Sequence, residues 1–231
     1  MTWPAEGVVI LRGLLPDDLI DAYATIRAPM GPIGWPDCTP YMRYAEIRDL
    51  CLCAPLVEAI EATVGEAVGL HLNLTNWIST ERTWHQDFYL NPPYVGDGYC
   101  GVWMALDDID PRSGPFEYVA GSHAWEPLTR EATLAQLRPE ERADPNWPRL
   151  AERFVTAHWD RAIERHGAYP DRFDAKRGDV LLWHPKVVHR GSMPEAPGME
   201  RRSLIAHYSS IRTRLDMPSH APWSAGRYFV L

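Results

Sequence analysis

Hydrophobic and polar positions alternate with different periods along the chain. Val8-Val9-Ile10-Leu11 is an unbroken apolar run of strand length entered through Gly7, which predicts a strand covered on both faces. Pro16-Asp17-Asp18 follows, a proline and acidic first turn that open a helix reaching about Arg27. Pro29, Gly31, Pro32, Gly34, Pro36 and Pro40 then force a loop. Leu56, Ile60 and Val64 recur at helical spacing and predict a helix over 54–68. The period then drops to two. Leu70, Leu72 and Leu74 alternate with His71, Asn73 and Thr75 in a half-buried strand over 69–77. Further strands are predicted over 84–90, 101–106, 116–119, 179–183 and 203–208, with turn signals such as Pro92-Pro93 and Gly96-Asp97-Gly98 between them. Two helical stretches, 129–137 and 149–166, interrupt the series. The expected architecture is mainly β with flanking helices, a barrel or sandwich in a single domain over 1–231, with a helical insertion at about 126–176.

Composition narrows the partners. The 231 residues carry a net charge of −8, and Lys176-Arg177 and Arg201-Arg202 are the basic doublets. That balance excludes a nucleic-acid footprint and a polybasic membrane patch, leaving a small-molecule substrate as the expected partner. The amino-terminal segment lacks the pattern of a signal peptide, and no apolar run approaches a membrane span. The four cysteines (38, 51, 53 and 100) form no CxxC pair and read as reduced thiols of a cytoplasmic protein. Ten Trp and ten Tyr suit a roomy aromatic interior or an ordinary β core equally. Nothing in the sequence sets an oligomeric state.

The candidate chemistry lies at Trp84-His85-Gln86-Asp87. On a strand, His85 and Asp87 project to one side and Trp84 and Gln86 to the other. An HxD alone is a weak motif, so a third ligand is required. His184 and His189 are both available, and His184, preceding Pro185, reads better as a packed residue. Two imidazoles and a carboxylate with no cysteine suit Fe(II) rather than structural zinc, while a three-ligand catalytic zinc stays open on ligand type. Arginine tips the balance. Its guanidinium forks onto a carboxylate as lysine cannot, and in Arg201-Arg202-Ser203-Leu204-Ile205-Ala206-His207 strand parity puts Arg201, Ser203 and His207 on the more polar side. Arg201 is therefore the expected anchor of a carboxylate co-substrate.

Four ordered segments resemble the phytanoyl-CoA dioxygenase family of Fe(II)/2-oxoglutarate oxygenases. They are Trp84–Asp87, Val102–Ile109, Ser113-Gly114-Pro115-Phe116 through Gly121-Ser122-His123, and Gly178-Asp179-Val180 through Ser203. The resemblance implies a double-stranded β-helix, a jelly-roll and cupin-like barrel. It implies iron ligation by His85, Asp87 and His189 and 2-oxoglutarate binding by Arg201, with Trp103 near the cofactor and Asn73 and Thr75 lending polar side chains. His123 would lie near the site without ligating. Two departures stand out: Ala120 replaces the usual proline before Gly121-Ser122-His123, and Arg190 separates His189 from Gly191-Ser192. The intact Asp87 argues against halogenation.

The reaction implied is hydroxylation of an unactivated C–H bond by O2, with Fe(II) and 2-oxoglutarate as cofactors and release of succinate and CO2. Desaturation, epimerisation or ring closure would use the same site. A zinc hydrolase on a cupin-like barrel would show neither iron nor 2-oxoglutarate dependence.

Overall fold

Strand alternation sorts the β residues of this protein into two cores. The computed structural model describes residues 3–231. Its strands are β1 (Val8–Leu11), β2 (Val68–Leu74), β3 (Tyr99–Ala105), β4 (Phe116–Tyr118), β5 (Asp171–Arg172), β6 (Val180–Trp183), β7 (His189–Gly191), β8 (Ser203–Ser210), β9 (His220–Trp223) and β10 (Gly226–Phe229). A large sheet has the order β1-β6-β3-β8-β2-β10-β9, and a small one the order β5-β4-β7. Every pairing is antiparallel except β10 with β2.

The register shows how the faces divide. Gly101 and Trp103 lie opposite His207 and Ile205 on β8, and opposite Trp183 and Leu181 on β6. Directly opposed residues share a face, so these form the inner one. Trp103, Leu181 and Trp183 meet Phe116 and Tyr118 of the small sheet and Phe173. The outer face, with Val102, Met104, Leu204 and Ala206, is covered by Ile20, Ile47 and Ile60 of α1 (Asp17–Arg27), α2 (Ala45–Cys51) and α3 (Ala54–Val64). Two antiparallel sheets with inner side chains interdigitated make a jelly roll with flanking helices. The insertion, α4 (Arg130–Ala135), α5 (Pro139–Arg142) and α6 (Trp147–His166), builds a third cluster in which Trp147, Val155 and Trp159 pack with Trp84, Tyr89 and Val188. No helix among the described residues is long and apolar enough to cross a membrane.

Several elements differ from expectation. Helix α3 stops at Val64 because Gly65 takes a left-handed conformation, φ 83°, at its C-cap. Helix α2 escaped prediction because Ile47, Leu50 and Cys51 form a stripe only one turn long, beside the Pro-rich loop. Strands β9 and β10 were also not expected: His220-Ala221-Pro222-Trp223 carries a proline and sits at the sheet edge, where a missing N–H is tolerated. The strand expected over 84–90 does not form. His85 makes a single bridge to His189, and Phe88–Leu90 is a 3-10 turn. The Pro185 carbonyl accepts from both the Asp87 and Phe88 amides, each at 3.0 Å, and turns the chain at Asp87 (φ −86°, ψ −14°).

Candidate metal centre and co-substrate pocket

His85, Asp87 and His189 come together although they lie on no common strand. One donor atom from each falls within 4.8 Å of the others, and all three side chains are buried. The bridge pairing places His85 beside His189 through reciprocal amide–carbonyl bonds of 3.1 and 2.9 Å. The convergence of His85 and Asp87, expected from alternation, arises instead from the turn at Asp87.

Backbone carbonyls set the imidazole tautomers. Nδ1 of His85 donates to the Thr83 carbonyl at 2.7 Å, and Nδ1 of His189 to that of Val187 at 3.0 Å. A carbonyl only accepts, so each Nδ1 carries the proton and each Nε2 keeps a lone pair. Those Nε2 atoms lie 3.9 and 3.8 Å from the Asp87 oxygens, too far for hydrogen bonds and spaced as donors around a shared centre. Burial pushes the His85 imidazole well below its usual range. It lowers that of His189 too, against the pull of Asp87, so both are neutral. Burial would raise the Asp87 carboxyl, but the surrounding positive potential, with Arg82 and the Trp183 indole donor in it, holds the group below the usual range. Two neutral nitrogens and one carboxylate, dry and convergent, fit a divalent metal on one face.

Trp183 fixes the carboxylate. Its indole Nε1 donates to Asp87 Oδ2 at 2.9 Å, an outer partner of the kind that orients metal ligands. Gly101 makes room for it: a methyl group there would fall inside the Trp183 ring. Gly101→Ala is expected to cost about 1–3 kcal/mol by overpacking and to lower metal affinity by freeing Asp87. Urea unfolding and metal titration would check both effects. The Gly101–Trp183 contact was missed from sequence because it depends on the register of β3 against β6.

The triad opens into a cavity lined also by Leu74, Thr80, Arg82, Trp103, Phe116, Trp183, Gly191, Arg201, Ile205 and His207. Arg201 is 3% exposed. Its Nη1 donates to the Gly114 carbonyl and its Nε has no partner. Burial alone lowers its pKa to about 10, and no carboxylate among the described residues pairs with it. A buried guanidinium without a counter-ion is costly unless a ligand supplies one. Trp103 lies in the same wall, its ring centre 5.9 Å from the guanidinium carbon.

Other expected residues go elsewhere. A β-bulge between Leu70 and Leu72 shifts the parity of β2, so Leu74 faces the cavity opposite Ile205 while Asn73 pairs with Ala206 on the outer face. Asn73 points to the Cys51 sulfur at 3.6 Å and the Ile205 carbonyl at 3.5 Å. Thr75 accepts from the Trp35 amide at 3.2 Å, and its carbonyl takes the Arg27 side chain at 2.7 Å. Both serve the outer packing, not the cavity. Ser203 is buried opposite Ala105 and does not line the cavity.

The remaining motif residues hold the frame. Ser122 takes the Val188 amide at 2.8 Å and steadies the chain entering His189. The Ser192 hydroxyl donates to the Pro115 carbonyl at 2.8 Å. His184 packs near Trp3 and His123, away from the triad, and burial pushes its pKa down to about 4. His123 does not line the cavity. The four cysteines are free thiols.

His207 lines the cavity and is bonded through Nδ1 to the Tyr99 hydroxyl. Burial brings its pKa down to about 4. A histidine held neutral in the fold stabilises fully above its unfolded pKa, and that contribution is lost as pH falls to the folded value. Without metal, the protein is therefore expected to lose stability between pH 6.5 and 4, with His207 contributing on the order of 3 kcal/mol. Urea midpoints of the chain and of His207→Gln across that window would check it: the variant's pH slope should be shallower.

A jelly roll whose interior holds two histidines and a carboxylate, beside a buried arginine in the same cavity, has the architecture of the Fe(II)/2-oxoglutarate oxygenases. The model of the phytanoyl-CoA dioxygenase (PhyH) family matches residues 49–201, two thirds of the chain, and the chain belongs to that family. The fold is shared with EctD from S. alaskensis with bound Fe, at 19% identity and TM-score 0.64, covering 96% of this chain and 80% of that one. It is also shared with the epimerase SnoN from nogalamycin biosynthesis in complex with Fe3+, alpha ketoglutarate and nogalamycin RO (17%, TM-score 0.63, 90% and 80% covered). HygX from Streptomyces hygroscopicus with nickel, 2-oxoglutarate and hygromycin B bound is similar as well (17%, TM-score 0.58, 89% and 84% covered). No curated protein sequence matches significantly.

Proposed function

We propose that this chain is an Fe(II)- and 2-oxoglutarate-dependent dioxygenase that hydroxylates an unactivated C–H bond of a small molecule. His85, Asp87 and His189 hold the iron and Arg201 anchors the co-substrate. The observation that carries the reading is the convergence, in one buried cavity, of two unprotonated Nε2 atoms, a carboxylate and an unpaired guanidinium. A zinc hydrolase would have no use for that guanidinium.

Bound Fe(II) and 2-oxoglutarate, with O2, supply oxidative decarboxylation to succinate and CO2 coupled to oxidation of a substrate C–H bond. The protein's part is orientation. The Thr83 and Val187 carbonyls keep the two Nδ1 protons in place, so both Nε2 atoms stay available for ligation. The Trp183 indole leaves Asp87 one unencumbered oxygen. Arg201 offers a fork to the far carboxylate of the co-substrate. Leu74, Trp103, Phe116 and Ile205 exclude water from the walls.

The helical insertion acts as a lid over this mouth. Glu152 of α6 reaches Arg82 at 3.5 Å, and Thr156 meets Thr83 at 2.5 Å, two residues before His85. The same residues would serve desaturation, epimerisation or ring closure. SnoN and SnoK, described as an epimerase and a carbocyclase, share the fold, so product analysis decides the outcome.

Addition of 2-oxoglutarate to anaerobic, Fe(II)-loaded protein should produce a visible charge-transfer band. Folded, iron-loaded protein without that band would overturn the reading. A substrate screen for succinate release then identifies the molecule oxidised.

A further inference from the structure

Arg201 is not the only arginine of the cavity. Arg82 lines it too and extends into an open groove beside Leu90, Arg130, Trp147, Arg149 and Glu152. The inner cavity and the outer groove thus share one guanidinium, which stands where a substrate bound beside the metal would leave for solvent.

The partner of Arg82 is poor. Its Nε is 3.5 Å from Glu152, with the two side chains 27% and 38% exposed. At that distance and exposure an ion pair contributes little. The buried Nε makes no hydrogen bond, and the guanidinium lies against the buried Tyr89 hydroxyl. A cavity-lining guanidinium with an unsatisfied nitrogen has donor capacity left for a ligand.

Charge points the same way. Building on the proposed function, the two positive charges of the metal and the one of Arg201 balance the one negative charge of Asp87 and the two of 2-oxoglutarate. Arg82 is the cation left over, and Glu152 of the insertion is its one ion-pair partner among the described residues. The groove beyond adds Arg130, stacked over Trp147 at 4.8 Å, and Arg149.

We infer that the primary substrate carries an oxyanion, a carboxylate or a phosphate, which pairs with Arg82 in place of Glu152. Arg82 is then a specificity-determining residue. Glu152 is the weak partner that the substrate's oxyanion displaces from Arg82. Neutral analogues of the substrate leave Arg82 on Glu152 and are discriminated against, because they offer no fork-matching acceptor.

The test is anaerobic calorimetry of the full chain loaded with Fe(II) and 2-oxoglutarate, the visible band confirming loading. The probes are phenylacetate, phenyl phosphate and neutral phenylacetamide. Either anion should bind and the amide should not. Arg82→Gln should weaken anion binding about tenfold or more. Arg82→Lys should recover part of the loss, and Glu152→Gln should tighten binding by removing the competitor. The better of the two anions identifies the oxyanion. Equal binding of the amide, or anion binding unchanged in Arg82→Gln and Arg82→Lys, would overturn the inference. If the wild type shows no band, the proposed function fails by itself. The same titrations on metal-free protein then decide the inference: Arg82-dependent anion binding keeps it, and its absence ends it.

Discussion

Arg201→Met raises the dissociation constant for 2-oxoglutarate roughly 30-fold or more, yet leaves the ligand-free protein at least as stable as before. The two halves of this expectation have one cause. The Arg201 guanidinium is desolvated, with its pKa lowered to about 10 by burial and one nitrogen unpartnered. In the empty protein it is a cost set against the single bond to the Gly114 carbonyl. When a carboxylate arrives, the cost becomes a charge-assisted pair. Removing the arginine relieves the first state and impoverishes the second. Titration of the visible band gives the affinity, and urea unfolding of metal-free protein gives the stability. A variant that loses stability and keeps its affinity would mean that Arg201 is a packing residue. Arg201→Lys should restore only part of the affinity, because an ammonium has no fork.

Asp87→Ala is expected to abolish iron retention and bring succinate formation below detection. Its effect on the metal-free fold should be far smaller. Asp87 makes one side-chain hydrogen bond, from Trp183, and its oxygens lie 3.8 and 3.9 Å from the histidine nitrogens. A carboxylate buried so completely and paired so little is placed for an ion rather than for the fold. With it gone, the remaining donors are two neutral imidazoles, and a divalent cation has no anionic ligand to offset its desolvation. Iron stoichiometry after desalting and the urea midpoint would check the two halves. A variant that still bound one equivalent of iron and turned over would remove Asp87 from the ligand set.

The residues of the site were largely legible, while their means of convergence was not. His85, Asp87 and His189 are separable from the other histidines by motif and by resemblance to a family. The expectation that a strand aligns His85 with Asp87 was nonetheless mistaken: the pair converges through a turn held by the Pro185 carbonyl, nearly a hundred residues away. Asn73 and Thr75 were expected at the co-substrate from the resemblance to the family, which assumes regular alternation through β2. The bulge at Leu70 and Leu72 reverses that parity and brings Leu74 inward instead. A bulge leaves no mark in Leu-His-Leu-Asn-Leu, since it depends on which residue β8 skips.

Local pattern therefore decided what is local. Apolar period two and helical period, read with glycine and proline punctuation, specified most strands, α1, α3 and the helical insertion, because side-chain direction follows directly from backbone repeat. The ligand types named the chemistry, because imidazole, carboxylate and guanidinium have fixed donor properties. Only the tertiary structure decided which groups share a cavity. It set Trp183 on Asp87 through the space left at Gly101, buried Arg201 without a counter-ion, and left Arg82 facing Glu152. Those facts depend on sheet register and on contacts between segments remote in the chain, which no single stretch of sequence contains.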